Sequence, residues 1–381
     1  MKRILNWAMA LMLICGSPLL TACSSDDNSA EPPKNPEAEK NRELLATHFK
    51  ADAAVLTENL DYDAITLSTQ ATQQLLAMMN KSRYFKNDIK TMLMLLTIQN
   101  AAERSNSHGV RVVFDEKGNY KVGSGEGMVF IFPATADGYA KMLYKLSVAS
   151  SSNWNEIPER MNATLSCLYD EEEVVLNKSV VNIKMNTGYE GMAAMALGAF
   201  DYDTRVDYFL PDTSDGACSI NIAASRQNDG TLDFGFGYVQ NKLNILNMNI
   251  NFPIPTDYTV NMTTEAIEVA TDKVLKCTIL DDLFVKGDIN GDMQIACGKD
   301  GKDILMRLEK EQEGEAERLV PTFALDDSSN YTPLKDIVDA DTYESIVNLS
   351  NRASTSVGMT STTYSDLLTM LMQILPMGVT N

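Results

Sequence analysis

Residues 243–255 read LNILNMNINFPIP, and the alternation of Leu, Ile, Met and Phe with Asn marks a β-strand with one apolar and one amide face. Ile245 and Leu246 are adjacent, so a strict period of two sends Leu243 and Ile245 to one side and Leu246, Met248, Ile250 and Phe252 to the other. A β-bulge takes up one extra residue, and the pattern predicts one at 245–246. Upstream, after an Asn228-Asp229-Gly230 turn, TLDFGFGY places Leu232, Phe234, Phe236 and Tyr238 on one face and Asp233, Gly235 and Gly237 on the other.

The same period extends back to about residue 109. VRVVFD and YKV flank a Lys117-Gly118 turn, and GMVFIF, KMLYKLSVA, MNATLSCLY, VVLNKSVVNIKM and CSINIAA follow as strands. The preceding stretch is helical: EAEKNRELLATHFKADAAVL from Glu37 to Leu56, then TQATQQLLAMMNK, then FKNDIKTMLMLLTIQNAAER. The last of these repeats Ile89, Met92, Leu93 and Leu96 at helical spacing and is apolar on much of its other side, so it must be covered. Met78, Met79, Met92 and Met94 read as core rather than as a pliable ligand wall.

After residue 300, ILMRLEKEQEG reads as a strand or short helix, and DADTYESIVNLSNRA sets Tyr343, Ile346, Val347 and Ser350 at helical spacing. YSDLLTMLMQILP is an apolar helix with Ser365 as N-cap and Pro376 as its stop. At about 11 residues it is too short to span a bilayer. It either plugs an exposed face of the sheet or binds a partner. The expected class is α+β: N-terminal helices packed on a large, mainly antiparallel sheet, with a short C-terminal helix. Residues 39–107 form the helical segment, 108–300 the β-rich body, and 301–381 a mixed region that closes it.

Ahead of the helices the chain opens MKRILNWAMALMLICGSPLLTAC, with Lys2 and Arg3 before a short apolar run and small residues before a cysteine. This is the layout of a secretory signal over residues 1–22. Leu20-Thr21-Ala22-Cys23 resembles a bacterial lipobox, which implies lipidation of Cys23. The following Ser24-Ser25-Asp26-Asp27 resembles the acidic export tag of Bacteroidota surface lipoproteins. Together they imply an exported protein anchored in the outer membrane, with two orientations open: display at the cell surface, which the acidic tag favours, or an inward, periplasmic one. Residues 23–38 contain no apolar side chain larger than Ala and read as a flexible tether.

With 32 basic and 52 acidic side chains, the chain carries a net charge of −20, so the body as a whole is repelled by nucleic acid and by anionic headgroups. Cys167, Cys218, Cys277 and Cys297 each fall in register with apolar neighbours and point inward, either as two disulfides in one of three connectivities or as four buried thiols. No CxxC pair is present.

Asp288, Asn290 and Asp292 match the first three ligand positions of a calcium loop, but Met293 stands where Gly belongs and Lys299 where an acid belongs. A three-residue hairpin loop at Ile289-Asn290-Gly291 accounts for more, because it pairs Val285 with Ile295 and Leu283 with Cys297. It also sets Asp288 opposite Asp292.

His48 and His108 are the two histidines, and no GxSxG elbow accompanies them. Gly123-Ser124-Gly125-Glu126-Gly127 lies between strands and reads as a hairpin turn rather than a phosphate cradle, and no motif calls for a cofactor. A hydrolytic carboxylate pair has no location that sequence reveals. Two binding readings remain. If the helices cap the sheet incompletely, the apolar side of 243–252 lines a cavity for a lipid or other apolar ligand. If they fill it, Asn247, Asn249 and Asn251 form an outward amide row suited to glycan hydroxyls, with Trp154 as the aromatic candidate.

Overall fold

A computed structural model describes residues 35–103, 109–125, 127–134, 139–149, 160–169, 171–185, 200–211, 218–226, 231–253, 274–288, 292–313, 316–327 and 330–374. Three helices lead: α1 (Pro36–Asn59), α2 (Asp63–Lys81) and α3 (Phe85–Glu103). Asn35 caps α1 by accepting from the Glu37 amide at 3.1 Å, and Pro36 presets the first helical φ. Pro36, Glu37 and Ala38, inside the 23–38 bounds given to the tether, therefore belong to the helix, in keeping with the helical reading that begins at Glu37.

The strands are β1 (Gly109–Phe114), β2 (Tyr120–Ser124), β3 (Gly127–Pro133), β4 (Tyr139–Ala149), β5 (Arg160–Tyr169), β6 (Glu172–Met185), β7 (Phe200–Tyr208) and β8 (Cys218–Arg226), followed by β9 (Thr231–Gln240), β10 (Leu243–Pro253), β11 (Val274–Ile279), β12 (Leu283–Asp288), β13 (Met293–Cys297), β14 (Ile304–Glu313), β15 (Ala316–Ala324) and β16 (Tyr331–Pro333). Among the described residues they form one 16-stranded sheet in which β16 to β3 follow sequence order as a meander, ending β3-β1-β2. The fold class is α+β, as expected.

The run from Gly123 to Gly127 is not a hairpin turn. β3 pairs parallel to β1, on the side opposite β2, so the chain crosses the start of β1. Glycine permits that crossing: a Cβ on Gly109 would lie 2.0 Å from the Gly127 carbonyl oxygen, and Gly127 holds φ +65°. The bulge lies where the alternation placed it. Asn244 pairs with Val239 and Leu246 with Tyr238, leaving Ile245 as the extra residue, and both Ile245 and Leu246 are buried.

The chain divides into two compact units, Met1–Leu60 with Ser225–Val357, and Asp61–Ala224 with Gly358–Asn381. In the first, Leu45, Phe49 and Leu56 of α1 are buried, as are Met248, Leu275, Val285, Ile295 and Phe323 from the strands, and the Phe49 and Phe323 rings meet edge to face at 5.8 Å. In the second, Leu75 and Met79 of α2 and Phe85, Ile89 and Leu93 of α3 share a core with Val112, Phe130, Phe132, Met142 and Leu165. Met78 and Met92 pack against that core, whereas Met94 faces outward.

The last helix, α4 (Ala340–Ile374), begins at an Asp339 side chain that accepts from the Thr342 amide at 2.8 Å. Ser365 is therefore an interior residue and not an N-cap. The polar run before it stays helical because Thr360, Thr363 and Leu367 are buried, and Thr362 and Thr363 satisfy their hydroxyls on the carbonyls of Gly358 and Met359. Pro376 lies outside the described residues. Cys167, Cys218, Cys277 and Cys297 are all buried thiols, and none of the four is in a disulfide.

Candidate functional site

The sheet in the first unit has a filled side and an open side. On the filled side of β10, Met248 is 0% exposed and Leu246 and Ile250 are 4% exposed, so packed atoms rather than empty space surround them. Register extends this face across Phe236 and Phe234 of β9 and Cys277 and Leu275 of β11.

On the other side, Asn247 is exposed and Asn249 and Asn251 half-buried. Each amide has a defined row. Asn247 lies between Gly237 and Thr278, Asn249 between Gly235 and Lys276, and Asn251 between Asp233 and Val274. The Asn251 amide is committed, donating to Asp233 Oδ1 at 2.6 Å and to Thr231 Oγ1 at 3.1 Å. Beyond β11, Thr278 pairs with half-buried Phe284 and Lys276 with exposed Lys286. The result is a strip without side chains at Gly235 and Gly237, flanked by two amides, a hydroxyl, two ammonium groups and one aromatic ring.

The calcium candidates fare differently. The register Leu283 to Cys297 and Val285 to Ile295 is the one the hairpin reading required. Asp292 is paired with Arg307, which holds its carboxyl below the usual range and removes the need for a cation opposite Asp288. No cluster of three or more His, Cys, Asp or Glu side chains suited to a metal occurs among the described residues. Asn290, Trp154, His108 and Cys23 lie outside those residues.

An acid–imidazole cluster, which the sequence reading missed, lies in the same unit. His48 on α1 donates from Nδ1 to Asp282 Oδ2 at 2.6 Å. Asp282 follows Leu280 and Asp281, both at left-handed φ, and its carbonyl accepts from the Gly298 amide at 2.7 Å. One helical turn beyond His48, Asp52 is 7% exposed and its Oδ2 has no hydrogen-bond partner. Burial, with the Asp282 charge adding to it and His48 opposing, pushes the Asp52 carboxyl up to about 6. Burial with Asp282 and Asp52 nearby pushes the Cys297 thiol up to about 12, so it is not a nucleophile near neutrality. Within this set it is the Asp52 carboxyl that exchanges a proton in the mildly acidic range. The available signal was Asp52 falling within the buried stripe Leu45, Phe49, Ala53, Leu56.

A separate hollow of ≈ 150 Å³, walled in part by Glu309, Thr322, Lys335 and Tyr343, is below the roughly 300 Å³ of a small-molecule site. Among the described residues no helix is long and apolar enough to cross a membrane. Comparison with known protein families, characterised proteins and solved structures found no match to the chain.

Proposed function

We propose that this chain is an exported binding protein, held at the outer membrane by a lipid on Cys23, which presents the open side of β9 to β12 to a glycan. The observation that carries the reading is the filled opposite side of β10, where Met248, Leu246 and Ile250 have no room for a ligand. Recognition then falls to the open side. There the amides of Asn247 and Asn249 offer paired donors and acceptors to vicinal hydroxyls, and the Gly235–Gly237 strip lets a sugar ring approach the backbone. Phe284 supplies an apolar face two strands away.

A glycan array probed with the purified protein and with the double variant Asn247→Ala/Asn249→Ala tests this. The expected result is binding to a narrow glycan class that weakens about tenfold or more in the variant, since each lost amide pair removes about 1 kcal/mol. Equal binding by both proteins would overturn the assignment of the face. No glycan bound, together with a stoichiometric lipid in the solvent extract, would replace it with a carrier function.

A further inference from the structure

We infer that the corner formed by the end of α2 and the outward side of α3 docks on an anionic lipid surface. Tyr84 is 54% exposed, Met94 60% and Leu95 57%. These three belong to the short set of large apolar side chains left exposed among the described residues, and they lie within one helix and the residue that precedes it. Met94 stands one turn beyond Lys90 and Leu95 one turn beyond Thr91, and both Lys90 and Thr91 are exposed. The opposite side of α3, through Phe85, Ile89 and Leu93, is fully committed to the core. Packing therefore fixes which side faces outward.

Charge selects the occupant. KSRYFKNDIK, residues 81–90, holds Lys81, Arg83, Lys86 and Lys90 against Asp88 alone, in a chain of net charge −20. The Asp88 carboxylate already accepts from the Tyr120 hydroxyl at 2.5 Å. Arg83 lies over the Tyr84 ring at 4.6 Å and donates to its hydroxyl, an aromatic–cation pairing that suits the headgroup zone. A cationic rim around an apolar tip is the arrangement of helices that lie in a membrane interface. Three side chains cannot supply the roughly 800 Å² per partner that a stable dimer buries, which disfavours a second copy of the chain. They suffice for a surface contact if the Cys23 lipid already holds the protein nearby, because tethering raises the local concentration. The inference rests on the anchored reading for that proximity.

The test is oxidative footprinting of Met94 in the full chain, mixed with lipid nanodiscs of phosphatidylcholine alone or with added phosphatidylglycerol, with the intact mass of Cys23 read separately. The expected result is Met94 oxidation slowed about fivefold or more on the anionic discs and little changed on the neutral ones. Arg83→Glu/Lys90→Glu, both at exposed positions, restores the fast rate. A lipidated chain whose Met94 oxidises alike on both discs overturns the docking and leaves the anchor standing. A chain without lipid that still gains protection on anionic discs keeps the docking and removes the anchor. Met94 protection that grows with protein concentration and needs no discs would assign the face to a second copy instead.

Discussion

Each unit holds a helix in place through a layer of polar groups, but the two layers are built from different chemistry. In the second unit the layer is neutral. Ser68 shares a hydrogen bond with the Tyr364 hydroxyl at 3.1 Å, Asn177 donates to the same hydroxyl at 3.0 Å, and Thr69 pairs with Thr360 at 3.0 Å. Burial raises the Tyr364 phenol, so it remains a protonated hydroxyl across the working pH range. In the first unit the layer is built from ionisable groups: burial raises the Asp52 carboxyl and the Cys297 thiol, His48 and Asp282 pair beside them, and Asp52 Oδ2 is left without a partner. The orphan in the neutral layer's own unit, Gln74 Oε1, carries no charge, and its amide nitrogen bonds the Pro133 carbonyl. A neutral layer fixes helix register at any pH, whereas a titrating one ties helix docking to proton concentration.

The largest break in this comparison should come from Tyr364→Phe. The substitution keeps the ring but strips both Ser68 and Asn177 of their acceptor or donor, at about 3 kcal/mol in all. Denaturant unfolding should show that loss undiminished between pH 5 and pH 8. A loss that varied with pH would mean the hydroxyl layer is coupled to a titrating group. The next effect is on Asp52. Its folded pKa of about 6 lies above the ordinary aspartate value of 3.8, so the folded state holds an extra proton between those values. Stability in the first unit is therefore greatest near and below pH 4 and falls as pH rises through about 6. Asp52→Asn, which cannot ionise, should flatten that profile and stabilise the protein at pH 8 by on the order of 2 kcal/mol. Hydrogen exchange of α1 at the two pH values, in wild type and variant, checks it. A wild-type α1 equally protected at both would show that Asp52 gains a partner in solution.

How much of this was legible depended on sequence distance. The bulge at Ile245 and the Leu283–Cys297 register follow from alternation within local stretches of the chain, and the structure has both. The crossing at Gly109 does not, because the parallel pairing of β1 with β3 leaves the same glycine-rich signature as a hairpin turn. Ser365 looked like a cap because local propensity favours one, and burial of Thr360, Thr363 and Leu367 along α4 overrode it. His48 and Asp282 stand 234 positions apart, so no window on the chain could join them. Of the amide row, alternation gave the shared face, but only side-chain geometry revealed that Asn251 is already committed to Asp233 and Thr231.

The smallest effect sharpens the comparison most. If the titrating layer attracts α1 to the sheet, His48→Gln must destabilise. If α1 is held by Leu45, Phe49 and Leu56 alone, the change should be silent. The pair is partly exposed, at 26% for His48 and 38% for Asp282, which limits its worth to about 0.5–1 kcal/mol. His48 also acts on Asp52, where its charge opposes the upward shift. Removing it should therefore raise the Asp52 carboxyl further and steepen the fall in stability through pH 6. The double variant His48→Gln/Asp52→Asn separates the two contributions. Its loss relative to Asp52→Asn alone reports the His48–Asp282 contact, and any excess loss in the single His48→Gln variant near pH 6 reports the coupling to Asp52. Equal losses in both backgrounds would mean that His48 and Asp52 act on α1 independently, reducing the layer to two unrelated contacts.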